Sequence, residues 1–206
     1  METIAQDKNP NTYLGHPPLV LHLKPVVCLT DDQLFEFSQL NRDLRIECNA
    51  QGELIIMPPT GGETSERNAE ITMQLRQWAK RGGEGVTFDS SGGFRLANGS
   101  VRSPDAAWVK RSRFDALTAE ERKKFIPFCP EFVVELRSPT DSLSVLQEKM
   151  QEYIDNGAQL AWLIDPEQKR LYVYRPNEPV QELDEPETVS GDPLLSGFVL
   201  NLREIW

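Results

Sequence analysis

The spacing of apolar and polar residues along the chain predicts a mixture of helices and short strands. Apolar positions at helical spacing predict a helix that begins near Thr30, a second over residues 65–80 and a third over residues 142–156. Thr30 and Gln33 fit a capping box at the start of the first helix. Alternating or continuous apolar runs predict strands at residues 44–47, 54–57, 86–88, 93–96, 106–109, 132–136, 160–164 and 171–174.

The order of these elements predicts one α/β (α+β) domain with a central mixed β-sheet flanked by helices. Residues 1–25 are rich in proline and have little periodicity, so we expect an extended N-terminal arm there. Residues 26–206 are then a single domain, which is an ordinary size for one hydrophobic core. The acidic, proline-containing segment 177–193 is expected to be mainly loop.

Composition narrows the chemistry that this domain can perform. The two histidines both lie in the proline-rich N-terminal segment, and the three cysteines are far apart with no CxxC pair. The sequence therefore argues against Ser-His, Cys-His and histidine-metal sites. Any catalysis would depend on carboxylates, lysine and a bound metal. No apolar run is long enough to span a bilayer and no signal peptide is visible, so we expect a cytoplasmic protein.

The net charge of −10 argues against a surface that is broadly coated by nucleic acid. It leaves room for a local basic cleft, because attraction of a charged ligand depends on where the charges lie as well as on their sum.

Two carboxylates stand at or within runs that predict buried strands. Asp105 follows Pro104 just before the run 106–109, and Glu135 lies inside the run 132–136. A buried carboxylate is costly unless something pairs with it, so the two suggest a shared Mg²⁺ or Mn²⁺ ion. The alternatives are a turn role for Asp105 and an ion pair of Glu135 with Arg137 or Lys149.

Four motifs, in this order, resemble the Uma-type family of restriction endonucleases within the PD-(D/E)XK nuclease superfamily. The resemblance covers the chain from about Thr30 to Arg175. The motifs are Gly-Glu-Leu-Ile-Ile-Met-Pro at 52–58, Ser-Pro-Asp at 103–105, Val-Glu-Leu-Arg-Ser-Pro at 134–139, and the stretch from Lys149 to Asp-Pro at 165–166. It implies a restriction-endonuclease-like core and Mg²⁺-dependent hydrolysis of DNA phosphodiester bonds.

The resemblance also implies roles for individual residues. Asp105 and Glu135 would bind Mg²⁺ (or Mn²⁺), and the Leu136 carbonyl would add a third oxygen ligand. Arg137 stands where the superfamily has lysine, and we expect it to bind substrate. The Uma-type pattern carries its lysine on the next helix, where Lys149 matches it. Lys149 falls at the edge of that helix's apolar stripe, from which its ammonium could orient the attacking water.

Three questions stay open at this point. Glu70, on the second helix, is a further candidate for catalysis, although an ordinary acidic helix start explains it equally well. DNA is the expected partner, without a membrane, and a homodimer is left open. The rival interpretation is a catalytically inactive nuclease fold that serves as a binding or regulatory module, which the acidic charge and Arg137 favour. Hydrolysis of another phosphodiester is a third alternative.

Overall fold

The computed structural model describes residues 17–82 and 84–206. Within this part of the chain the helices are α1 (Asp31–Leu40), α2 (Gly62–Lys80), α3 (Arg111–Asp115) and α4 (Leu143–Asp155), with a 3-10 turn at Glu121–Lys123. The strands are β1 (Leu19–Leu21), β2 (Arg45–Cys48), β3 (Leu54–Met57), β4 (Gly85–Asp89), β5 (Phe94–Arg95), β6 (Val101–Arg102), β7 (Ala106–Lys110), β8 (Phe132–Leu136), β9 (Leu160–Asp165), β10 (Arg170–Tyr174), β11 (Gln181–Asp184), β12 (Thr188–Ser190) and β13 (Val199–Asn201).

The central sheet has six strands in the order β11-β10-β9-β8-β7-β4. The pair β8 and β9 is parallel and is connected through α4, whereas the other neighbours are antiparallel. Ile71 and Leu75 of α2 pack on one face of the sheet, and Met150 and Tyr153 of α4 pack on the other. The predicted fold class, a mixed sheet between helices, is confirmed.

Burial on both faces explains why β8 and β9 are nearly continuous apolar runs. Successive side chains of a strand point to opposite faces, and Phe132 and Val134 accordingly join the cluster under α2, whereas Val133 joins the cluster under α4. Glu135 has the same parity as Val133. Its carboxylate therefore belongs to the α4 face of the sheet.

A second sheet has five antiparallel strands in the order β1-β3-β2-β6-β5. One of its faces packs against α1, through a cluster of Leu34, Ile46, Leu54 and Val101. The predicted capping box of Thr30 and Gln33 is present at the start of α1. Residues 103–105 carry the chain from β6 in this sheet into β7 of the central sheet.

Three strands lie where the sequence predicts arm or loop. β1 falls within the predicted arm and pairs with β3, while residues 1–16 lie outside the described residues. β11 and β12 fall within the segment predicted to be mainly loop, where β11 pairs with β10 and β12 pairs with β13. Most side chains of β11 and β12 are exposed, so these strands lack the apolar alternation on which a strand prediction rests.

In the described part of the chain, no helix has the length and apolar character needed to cross a bilayer.

Candidate active site

A cavity of about 440 Å³ lies where the C-terminal end of β8 meets the start of α2 and the side of α4. It is lined by Asp105, Glu135, Leu136 and Lys149, together with the proline-rich loop that precedes α2 and residues 138–141. The antiparallel register pairs Ala106 with Val134, so Asp105, one residue before β7, comes level with Glu135 of β8. Residues far apart in sequence thus share one cavity.

Asp105 is buried and is held from two sides. One carboxylate oxygen, Oδ2, accepts a hydrogen bond of 2.9 Å from the backbone N–H of Leu136, and the other lies 3.2 Å from Nη1 of Arg45. Arg45 also donates from Nη2 to the carbonyl of Ser103, at 2.5 Å. Burial acts to lower the pKa of Arg45, but the carboxylates of Asp105, Glu135 and Glu47 outweigh it and the net pKa is raised.

Glu135 is buried, and its carboxylate contacts two residues of α4. Its Oε1 lies 2.7 Å from Nζ of Lys149 and accepts a 2.8 Å hydrogen bond from the hydroxyl of Tyr153. Burial raises the pKa of Glu135 to about 7; Lys149 opposes the rise, while Asp105 and Glu47 add to it. This carboxyl group can therefore gain or lose a proton near neutral pH.

Lys149 reaches the site from the middle of α4, and its ammonium lies between two carboxylates. Nζ is 2.7 Å from Oε1 of Glu135 and 2.9 Å from Oε1 of Glu47. Burial acts to lower the pKa of Lys149, but these two carboxylates outweigh it and the net pKa is raised. Lys149 is therefore a cation in this structure, with two of its three N–H groups engaged.

Glu47 and Arg45, which the sequence analysis did not single out, come to the site from β2. They flank Ile46, whose side chain packs on the opposite face, among the apolar residues under α1. Arg102 and Tyr153 complete the buried network, through Glu47 and Glu135 respectively. The available signal was the alternation of Leu44, Ile46 and Cys48 with two charged residues, a pattern that also fits an ordinary half-exposed strand.

Two residues singled out in the sequence lie elsewhere. Arg137 does not line the cavity: its guanidinium pairs with Asp165 at 2.7 Å and donates from Nε to the carbonyl of Asp141. Glu70 is half-buried on α2 and accepts a 2.8 Å hydrogen bond from Gln74, also away from the cavity. The cations that do line the cavity, among the described residues, are Arg45, Arg67 and Lys149.

The donor set suits a magnesium ion better than a metal that needs a full cage of side chains. Among the described residues no cluster of three or more His, Cys, Asp and Glu side chains is arranged to hold a metal. Mg²⁺ commonly takes one or two carboxylates and completes its shell with water and substrate phosphate. Asp105, Glu135 and Leu136 line one cavity and carry oxygen atoms of this kind, although the Glu135 carboxylate is paired with Lys149 in this structure.

Comparison with known proteins agrees with this fold. A family model, Uma2, described as "Putative restriction endonuclease", matches residues 32–203. A solved structure titled as that of "a putative nuclease belonging to DUF820" from Anabaena variabilis matches with a TM-score of 0.67 and 22% identity, over 78% of this chain and 88% of that one. At this identity the match supports the fold alone. No curated protein matches the chain.

Proposed function

The chain belongs to the Uma2 family, and from this premise we propose that it is a divalent-metal-dependent endonuclease that hydrolyses DNA phosphodiester bonds. One observation supports this proposal above the others. Asp105, Glu135 and Lys149 come from the start of one strand, the end of its neighbour and the following helix, and they line one cavity. Carboxylates and a lysine with this convergence are the material that metal-assisted hydrolysis requires.

Asp105, Glu135 and the carbonyl of Leu136 would hold Mg²⁺ or Mn²⁺. When bound, the cation supplies charge neutralisation at the scissile phosphate and a lower pKa for the attacking water. Arg45 and the N–H of Leu136 orient the Asp105 carboxylate, because each of them contacts one of its two oxygens. Arg45 and Arg67 line the same cavity and would bind the substrate phosphate, the role that the sequence analysis assigned to Arg137.

Lys149 would orient the attacking water through its ammonium. Because its pKa is raised, it acts as a hydrogen-bond donor and a positive charge, not as the base that removes the proton. We assign Glu70 no part in the chemistry, since it does not line the cavity. The enzyme would act on DNA in the cytoplasm, and a homodimer would supply one site for each of the two strands.

The test is nicking of supercoiled plasmid by the purified protein with Mg²⁺ or Mn²⁺, together with thermal unfolding with and without the metal. The wild type should nick DNA and should unfold at a higher temperature with metal, because an ion that binds only the native state stabilises it. Asp105→Asn and Glu135→Gln should lose about 100-fold or more in rate, together with the metal-dependent rise. Glu148→Gln, an exposed position beside Lys149, is the matched control and should behave as wild type.

The outcome also separates this proposal from the non-catalytic interpretation. A wild type that binds DNA but neither nicks it nor responds to metal would identify a nuclease fold used for binding. Nicking that survives in both carboxylate variants would place the chemistry elsewhere or in a contaminant.

A further inference from the structure

Glu47 is a buried carboxylate for which the proposed hydrolysis has no direct use. It is 2% exposed and lies on β2, in the second sheet, whereas Glu135 lies on β8 of the central sheet and Asp105 directly precedes β7. Burial of an unpaired charge is energetically costly, so the groups that contact the Glu47 carboxylate indicate its role.

Glu47 is held rigidly by groups other than Lys149. Its Oε1 accepts a 2.9 Å hydrogen bond from the backbone N–H of Ser103, and its Oε2 lies 3.1 Å from Nη1 of Arg102. Arg102 also pairs with Glu152, at 2.6 Å. Burial alone would raise the pKa of Glu47, but Lys149, Arg102 and Ser103 together lower it to about 2.

The two carboxylates that share the Lys149 ammonium are therefore unequal. Glu47 is anchored on both oxygens by the backbone and a guanidinium, and it does not line the cavity. Glu135 lines the cavity, and among the described residues its carboxylate contacts the Lys149 ammonium and the Tyr153 hydroxyl. Glu135 is thus the carboxylate of this pair that a cation in the cavity could reach, and binding there would compete with the ammonium of Lys149.

We propose that Glu47 is a positioning residue that retains the ammonium of Lys149 at the site when Glu135 exchanges it for a divalent cation. The inference rests on the proposed function. Without Glu47 the ammonium has Glu135 as its remaining carboxylate partner, and it competes with the metal for that group. Glu47 thus lets one lysine neutralise the metal-free site and still stand beside the reacting phosphate when metal is bound.

The experiment measures Mn²⁺ binding to the full chain by isothermal titration calorimetry, in a double-mutant cycle of Glu47→Gln and Lys149→Met. Glu47→Gln should weaken Mn²⁺ binding about 10-fold, the usual size of an effect through a ligand's partner. Lys149→Met should bind Mn²⁺ at least as tightly as wild type, because the competing ammonium is gone. In the Lys149→Met background, Glu47→Gln should change the affinity less than about twofold, because little is left for Glu47 to hold.

Glu152→Gln is the matched control. It removes a negative charge from the same network, but Glu152 pairs with Arg102 and not with Lys149, so Mn²⁺ affinity should stay within about twofold of wild type. In the nicking assay, Glu47→Gln should lower kcat more than it raises KM, because the ammonium acts on the reacting water and not on DNA binding.

Several outcomes would overturn the inference. If Glu47→Gln lowered the Mn²⁺ affinity equally with and without Lys149, Glu47 would act through its negative charge alone and not through Lys149. Wild-type affinity in Glu47→Gln, or a Glu47→Gln chain that does not fold by circular dichroism, would make it a structural brace between the two sheets. A wild type that binds no Mn²⁺ would overturn the proposed function itself, whereas a wild type that binds Mn²⁺ with Glu47→Gln unaffected overturns only this inference.

Discussion

Replacing Arg137 by methionine decides whether this residue serves substrate or fold. The parallel register pairs Leu136 with Ile164, which brings Arg137 level with Asp165 at the ends of β8 and β9. Nη1 of Arg137 lies 2.7 Å from Oδ2 of Asp165, whose side chain is 0% exposed, and Nε donates to the carbonyl of Asp141 at 3.2 Å. Arg137 thus ties two central strands to the turn that precedes α4.

The loss in stability follows from the burial of this ion pair. Breaking a buried pair by removal of one partner costs about 3–5 kcal/mol, because the remaining charge is left without compensation. For a chain of this size 1 kcal/mol corresponds to about 2–4 °C in Tm, so Arg137→Met should lower Tm by about 6–20 °C. Methionine keeps the apolar stem of the arginine, which limits the part of this loss that comes from packing.

The assay is urea or thermal unfolding, paired with the nicking rate per folded molecule. The double variant Arg137→Met with Asp165→Asn should recover a large part of the loss, because the uncompensated charge is removed. Arg203→Met is the control: Arg203 and Glu187 form an ion pair that is more than half exposed, and its loss should cost less than about 1 kcal/mol. KM for DNA should stay within about twofold of wild type in Arg137→Met.

The opposite pattern would refute this assignment. If Arg137→Met kept the wild-type Tm and had a clearly raised KM, Arg137 would be a substrate-binding residue, as its position in the motif predicts.

Two further predictions concern stability alone. Gly85→Ala should lower the free energy of unfolding in urea by about 2 kcal/mol, because a Cβ there would lie 1.9 Å from Nε1 of Trp108. Gly62→Ala is the control and should be neutral or slightly stabilising, because its Cβ would meet no described atom within 4 Å. Equal effects of the two substitutions would contradict the packing described around Gly85. Because the pKa of Glu47 falls from 4.5 to about 2 on folding, its ionised form stabilises the protein above about pH 4.5, and about 3 kcal/mol of that is lost as the pH falls towards 2. Glu47→Gln should lack this loss in metal-free unfolding series, and an unchanged pH profile would show that Glu47 is not held as described.

Local signals in the sequence account for the elements that it predicts well. The capping box of Thr30 and Gln33 fixes the start of α1, and Gly157, with a positive φ, follows the end of α4 close to the predicted position. The apolar runs at 106–109 and 132–136 became β7 and β8 because both faces of the central sheet are covered.

What the sequence could not provide is the pairing between distant segments. β11 and β12 are mostly exposed strands whose hydrogen-bonding partners, not their side chains, define them. The prediction that Arg137 binds substrate rests on its motif position, which could not reveal that Arg137 follows the end of β8 and pairs with Asp165 of β9. Glu47 was missed because a lone glutamate on a short strand reveals its burial only once Lys149, 102 residues later, is placed beside it.

The segment from Arg102 to Asp105 contains the Ser-Pro-Asp motif, and its contacts explain why these residue types follow one another. It crosses from the second sheet to the central one, and it contacts the site on the way. Arg102 and the N–H of Ser103 bind Glu47, the carbonyl of Ser103 accepts from Arg45, and Asp105 binds Arg45 and the N–H of Leu136. Pro104 fixes its own φ and has no N–H that needs a partner in this crowded crossing. The segment therefore fixes the position of Glu47, which binds the Lys149 ammonium, relative to Asp105, the proposed metal ligand. The site is thus assembled by the connection between the two sheets.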